Sequence, residues 1–245
     1  MFLKYLKLIY LNIFFLIFLC SISFSEIIKS IEIKGNKRVS SETIVTFTGV
    51  SIGDNIDNFQ INFVKDTFNK CRKNQGNQIS LDHFILNNKE LKNIKKFINN
   101  QCSYYLKNII CPANKDIELY VTISWLNYTL INGYHHPHTH QNSVVSGVFY
   151  FDVDETKDSI TFVKNQYNQI EVAPLNFNPW NSRTWWLPVK NGRLLMFPSN
   201  LNHMVPINKE NKTRISLSFN TFIKGELGSI NSSTHLNINK SNVYK

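Results

Sequence analysis

The 245 residues suffice for one well-packed core, or for one domain with a small appendage. Hydrophobic residues make up 42%, which excludes wholesale disorder. The formal net charge of +10 is spread over lysines set beside Asn and Ile, with no dense basic run among aromatics and no zinc-finger or helix-turn-helix pattern; it reads as compositional bias and sets nucleic-acid binding aside.

At the N-terminus, Lys4 and Lys7 precede an apolar run from Leu8 to Cys20, and Ser21, Ser23 and Ser25 follow. That order predicts a secretory signal peptide over residues 1–25, cut before Glu26, with an uncleaved anchor as the alternative. Cleavage would leave Cys71, Cys102 and Cys111, an odd set and a poor disulfide framework. Cys102 and Cys111 can pair in an oxidising compartment or serve as small buried hydrophobes.

Ile27 to Ile33 alternate as a strand, Gly35-Asn36 turns the chain, and Ser40 or Ser41 caps a short helix through Thr48 with Glu42 in its first turn. The strand ending in Glu32-Ile33-Lys34-Gly35-Asn36, the Arg38-Val39-Ser40 turn, the helix and the exit at Ile52-Gly53-Asp54 resemble the opening half of a POTRA domain from outer-membrane assembly factors. The segment 26–70 is thus expected to be a partial POTRA-like βα unit, with Asn58 to Lys70 as its second helix and no closing strands. The resemblance implies polypeptide binding by strand addition and association with the outer membrane.

Residues 71–80, CRKNQGNQIS, are polar and read as a linker. Leu91, Ile94, Phe97, Ile98 and Tyr105 recur at helical spacing and predict an amphipathic helix over 88–107. Beyond Asp116 the pattern has period two, which predicts strands over 117–125, 144–153, 159–164, 193–198 and 214–222. One helix followed by many short strands suggests an α+β layout with a β-rich barrel or jelly roll over 81–225, and a polar tail over 226–245.

Four of the seven histidines fall within six positions: His135, His136, His138 and His140, in GYHHPHTHQNS. Alternate residues of an extended segment project to one side, so His138 and His140, or His136 and His138, can face one ion. A loop of exposed histidines is the bland alternative. Downstream, GRLLMFPSNLNHMVP places His203 after an apolar strand, and Arg214 heads RISLSFN eleven residues later. Arg214, Ser216, Ser218 and Asn220 share one face of that strand, while Ile215, Leu217 and Phe219 share the other. A buried arginine needs an anionic partner, and its planar guanidinium suits a carboxylate through a bidentate pair.

The order His-x-His, a distal His and then Arg-x-Ser resembles Fe(II)/2-oxoglutarate-dependent oxygenases. More narrowly, SWLN (124–127), HTHQNSVVSGVFYF (138–151), GRLLMFPSNLNH (192–203) and RISLSFN (214–220) resemble a bacterial and phage family of 2OG-Fe(II) oxygenases, over residues 78–225. The resemblance implies a double-stranded β-helix, with Fe(II), 2-oxoglutarate and O2 as cofactor and co-substrates. It also implies hydroxylation of an unknown small molecule or peptide side chain. It makes His138 and His203 metal ligands and puts His140 where most oxygenases carry an acid; Asp152 or Asp154 is the alternative source of a carboxylate. Arg214 matches the co-substrate anchor, Ser216 its helper, and Tyr150 an aromatic touching the same carboxylate. Asn142, Ser146 and Trp125 match family positions but read equally as turn and core residues, Trp125 above all.

A three-histidine site is more positive than the usual triad of two histidines and a carboxylate, and can also favour zinc. Two other readings stand beside the enzyme: an exported POTRA-type binding module, and a non-catalytic metal-binding barrel of cupin-like form. Arg214 and Ser216 favour the enzyme, because a plain zinc site has no use for them. The leader implies export to the periplasm or outer membrane, or a cytoplasmic protein if the N-terminal part is a joined reading frame. The segment Asn165 to Leu187, with Trp180, Trp185 and Trp186, is expected either to form part of the substrate entrance or to pack as a loop over the barrel.

Overall fold

The structure, a computed structural model, describes residues 58–164, 170, 172–179 and 181–238. The leader over residues 1–25 and the POTRA-like strand and first helix lie outside the described residues, as does Trp180.

Two antiparallel sheets face one another. Helix α1 (Asn58–Asp66) opens the described chain, and a hairpin of β1 (Cys71–Lys73) and β2 (Gln78–Ser80) follows. Helix α2 (Lys92–Tyr105) leads into the long strand β3 (Glu118–Thr129). Then come β4 (His135–His138), β5 (Val145–Asp152), β6 (Ser159–Val163), β7 (Thr184–Pro188), β8 (Leu194–Pro198), β9 (Asn202–Val205), β10 (Arg214–Leu227) and β11 (Leu236–Ile238). The larger sheet has the order β1-β2-β3-β10-β5-β8, with β11 paired to the far end of β10. The smaller has the order β4-β9-β6-β7. Strands that alternate in this way between two sheets make a jelly roll.

Alternation along β10 decides which side of the larger sheet is which. Ile215, Leu217 and Phe219 are buried in a core shared with Leu126, Tyr128 and Phe149. Helix α2 covers this face with Ile94, Ile98, Cys102 and Tyr105, of which Ile94, Ile98 and Tyr105 belong to the stripe that the spacing predicts. Burying each large apolar side chain there contributes about 1.5–3 kcal/mol. Gly147 on β5 is required by close approach: a Cβ there would sit 2.3 Å from the Phe219 ring. A second, smaller core of Ile160, Val189, Leu195 and Phe197 fills the space between the sheets.

The strand predictions hold to within a few residues, and β3 and β10 run several residues further than expected. Three boundaries need correction. Residues 71–80 are not a linker: they form the β1–β2 hairpin, and β2 pairs with the end of β3 through Gln78–Tyr128 and Ile79–Asn127. Ser80 is fully buried there and its hydroxyl accepts the Leu126 N–H at 3.0 Å, so a polar residue serves as core. The helix over 58–66, expected as the second helix of the POTRA-like unit, packs into the jelly roll: Val64 is fully buried, and its carbonyl accepts the Tyr128 hydroxyl at 2.5 Å. The polar tail begins inside β10 and carries a further strand, since β11 pairs with residues 225–227. Cys71, Cys102 and Cys111 are free thiols; Cys102 is buried on α2 and Cys111 exposed, which removes the pairing and leaves Cys102 as a small hydrophobe.

Candidate active site

The inner faces of the two sheets enclose a pocket. From the smaller sheet, β4 and β9 pair with His138 directly opposite His203, so the two imidazoles are neighbours by register. His140 follows the end of β4, where its backbone N–H donates to the Ser199 carbonyl at 2.9 Å and turns the residue back toward the pair. Asn142, in the left-handed region at φ 54°, carries the turn that follows. Behind it, Ser146 hydrogen-bonds Ser199 and Asn220, each at 2.8 Å, so Asn142 and Ser146 are turn and core residues.

His138, His140 and His203 each offer one nitrogen to a common point, all within 4.8 Å of one another. The Nδ1 of His138 lies 2.8 Å from the His136 carbonyl, and that of His203 lies 3.0 Å from the Leu201 carbonyl. Carbonyls only accept, so each Nδ1 is the protonated nitrogen and each Nε2 presents a lone pair. Backbone oxygens therefore set both tautomers, as in metal sites whose imidazoles are oriented from behind. His140 Nε2 and His203 Nε2 are 3.3 Å apart. Two nitrogens bonded at about 2.0–2.1 Å to one ion stand about that far apart at a near-tetrahedral angle. Burial lowers all three histidines, His140 to about 4 and His203 to about 3, so they are neutral and ready to ligate at neutral pH. The donor set fits a divalent first-row metal ion.

Neither aspartate can complete the set in place of His140. Asp152 forms ion pairs with Lys212 at 2.6 Å and Lys65 at 3.4 Å, and Asp154 accepts the Thr156 N–H and hydroxyl in an exposed turn. Among the described residues, the metal-competent group consists of the three histidines alone.

Across the pocket, β10 and β5 of the larger sheet supply Arg214, Ser216 and Tyr150, with Ser216 and Tyr150 in register. Arg214 is only 4% exposed. Its NH1 donates to Asp158 Oδ1 at 3.1 Å and to the Ser159 carbonyl at 3.2 Å, while its NH2 is buried without a partner. An orphaned guanidinium nitrogen on a pocket wall is a seat for an anion. The bidentate fork expected from the sequence is already half occupied by Asp158. Burial raises the Tyr150 phenol above its ordinary value, which keeps it a donor.

Further residues line the pocket beside those expected to act in it. Trp125, expected as core, is half-buried on the pocket wall, its ring 5.9 Å from that of His140. Asn127 accepts the Trp125 indole N–H at 3.2 Å and donates to the Ser218 hydroxyl at 2.9 Å. Extending the period-two pattern of β3 by four residues would have placed Asn127 and Thr129 on the same face as Trp125. His135 also lines the pocket, its ring 4.1 Å from that of His138. Trp185 and Trp186 lie on β7 and not in a loop, and Trp186 is 64% exposed.

Residues 123–220 match the model of a family described as "Putative 2OG-Fe(II) oxygenase". No curated protein sequence matches the chain. Among solved structures, the non-heme alpha ketoglutarate dependent carbocyclase SnoK from nogalamycin biosynthesis is similar, with a TM-score of 0.51, 11% identity and coverage of 77% of this chain and 85% of that one. HygX from Streptomyces hygroscopicus, solved with nickel and 2-oxoglutarate bound, gives a TM-score of 0.49 at 9% identity, covering 75% of this chain and 87% of that one. A Pseudomonas putida prolyl-4-hydroxylase gives 0.45 at 10% identity, covering 66% and 85%. The family match falls on the strands that build the pocket, and the chain carries a non-haem, Fe(II)- and 2-oxoglutarate-dependent oxygenase domain that uses O2.

Proposed function

We propose that His138, His140 and His203 hold the iron, that Arg214, Ser216 and Tyr150 take the far carboxylate of 2-oxoglutarate, and that the domain hydroxylates a small molecule or a peptide side chain. One observation carries this reading: a buried arginine with an unpaired NH2 faces the same pocket as three convergent, neutral imidazoles. Bound iron supplies the oxygen activation that couples decarboxylation of 2-oxoglutarate to oxidation of the substrate. The chain's own residues orient and shield. The backbone carbonyls of His136 and Leu201 hold two imidazoles in the ligating tautomer. Arg214 supplies positive charge at the opposite end of the pocket, and the Ser216 and Tyr150 hydroxyls stand beside it as neutral donors. Phe197, whose ring lies 4.6 Å from that of His203, and Phe162 keep the ligand side apolar.

The test uses the full-length chain, loaded with Fe(II) without oxygen and then given 2-oxoglutarate and O2. Succinate release is expected, and it should disappear in His203→Ala and Arg214→Ala. Tight zinc binding with no 2-oxoglutarate turnover would favour the second reading, a non-catalytic metal-binding barrel, for which the near-tetrahedral spacing of His140 and His203 speaks. From the leader-like run Leu8 to Cys20 we also infer export, with the POTRA-like segment as an outer-membrane contact. Fractionation of the tagged chain tests this; a purely cytoplasmic full-length product would refute it.

A further inference from the structure

We infer that Asp158 is a positioning residue for the co-substrate anchor: it grips Arg214 by NH1 and so leaves NH2 as the nitrogen offered to the pocket. This rests on the reading of Arg214 as the seat of the far carboxylate.

Three observations carry it. First, Asp158 stands behind the arginine: its carboxylate bonds NH1, yet it does not line the pocket that Arg214, Ser216 and Tyr150 line. Second, Asp158 is itself fixed. Its Oδ2 accepts the Asp154 N–H at 2.9 Å, and its own N–H donates to the Asp154 carbonyl at 2.8 Å, so the turn before β6 holds the carboxylate in place. Third, the pair is buried, with side chains 4% and 11% exposed, while NH2 alone of the guanidinium's buried nitrogens lacks a partner.

The physical consequence is preorganisation. A guanidinium buried without a counter-ion is strongly disfavoured, and Asp158 supplies that counter-ion when no co-substrate is bound. Two acceptors on NH1, the Asp158 carboxylate and the Ser159 carbonyl, fix the plane of the group. Side-chain freedom is thus lost on folding and not again on binding. Because Ser159 opens β6 of the smaller sheet and Arg214 opens β10 of the larger, the pair also spans the two sheets. A purely structural role is therefore the competing explanation.

The experiment separates them with two ligands. The full-length chain, loaded with Fe(II) under anaerobic conditions, is titrated calorimetrically with 2-oxoglutarate and with 2-oxopentanoate, which has the same chain length but no far carboxylate. Asp158→Ala is expected to weaken 2-oxoglutarate binding by about tenfold or more and to leave 2-oxopentanoate within about twofold. Asp158→Asn, which keeps one acceptor for two donors, should fall between wild type and Asp158→Ala, and it carries the comparison if the alanine variant does not fold. Unchanged 2-oxoglutarate binding in Asp158→Asn and Asp158→Ala, or equal loss of both ligands, overturns the inference. If wild type does not prefer 2-oxoglutarate over 2-oxopentanoate, or Arg214→Ala abolishes no preference, the anchor reading itself fails and the inference falls with it.

Discussion

Arg214→Ala tests the buried ion pair and the anchor at once, with a different readout for each. Removing the guanidinium leaves the Asp158 carboxylate, 11% exposed, with the Asp154 N–H as its remaining donor among the described residues. Breaking a buried pair from one side costs about 3–5 kcal/mol. The remaining hydrogen bond and partial exposure put this case at the low end, about 3 kcal/mol. That is a large share of an ordinary domain's stability of about 5–15 kcal/mol. Much of the loss belongs to the orphaned charge, so the double variant Arg214→Ala/Asp158→Ala is expected to be more stable than Arg214→Ala alone. The ligand readout is separate: loss of one charge-assisted hydrogen bond, about 1.5–3 kcal/mol, weakens 2-oxoglutarate about 10- to 150-fold. Denaturant titration of the three variants and wild type gives the stability cycle, and calorimetry gives the affinity. A double variant less stable than Arg214→Ala would refute the orphan-charge argument. An Arg214→Ala protein that folds and binds 2-oxoglutarate within twofold of wild type would refute the anchor.

Alanine at His138, His140 or His203 is expected to reduce metal affinity at least about tenfold, by analogy with the effect of lost ligand-shell partners, measured by competition against a chelating dye; retained affinity in His140→Ala would show that it is not a ligand. Acid should destabilise the metal-free protein: the folded pKa of His135 and His203 is about 3 and of His140 about 4, against an ordinary 6.5, so the unfolded chain binds more protons below that value. Their contribution is complete above pH 6.5 and drains away as pH falls toward 4 and 3, and the denaturation midpoint at pH 5 should lie below that at pH 8. An equal midpoint would contradict the burial of neutral imidazoles. Gly147→Ala drives a methyl group into the Phe219 ring and should cost about 1–3 kcal/mol by overpacking, read as a lowered denaturant midpoint. An unchanged midpoint would mean that the ring can give way.

Much of this fold was legible because one face of each long strand is apolar. RISLSFN assigns Arg214 and Ser216 to one face, opposite the apolar one, simply by alternation, and helix α2 shows its buried stripe in the spacing of Ile94, Ile98 and Tyr105. What escaped has no such pattern. The strands β4 and β9 are four residues each, made of His, Pro, Asn, Met and Val, and they exist because each pairs with the other around the histidines. The β1–β2 hairpin is polar in sequence and is held by backbone pairing to β3 and by the buried Ser80 hydroxyl. Asp158 sits in a surface-looking turn, and its partner lies 56 positions away, so nothing local distinguishes it from any aspartate between two strands.

His140 shows how a local rule and a tertiary constraint combine. Alternation puts His138 and His140 on one side, but His140 lies beyond the end of β4, and it is the Ser199 carbonyl on its backbone N–H that returns it to the pair. Because Ser199 follows β8 directly and His203 lies on β9, one turn fixes two of the three imidazoles relative to each other. A carboxylate at position 140 would have cancelled one unit of a divalent ion's charge; a neutral imidazole leaves it in place. The compensating anion must then come from what binds the metal or from solvent. On the proposed reading an anionic keto acid is well suited to that, and its far end would meet a second positive group whose own charge Asp158 already balances. On the proposed reading, charge at the two ends of the pocket is therefore handled oppositely: a bound ion at the histidines would need its anion from a ligand, whereas at Arg214 the protein supplies the anion and leaves one nitrogen for the guest.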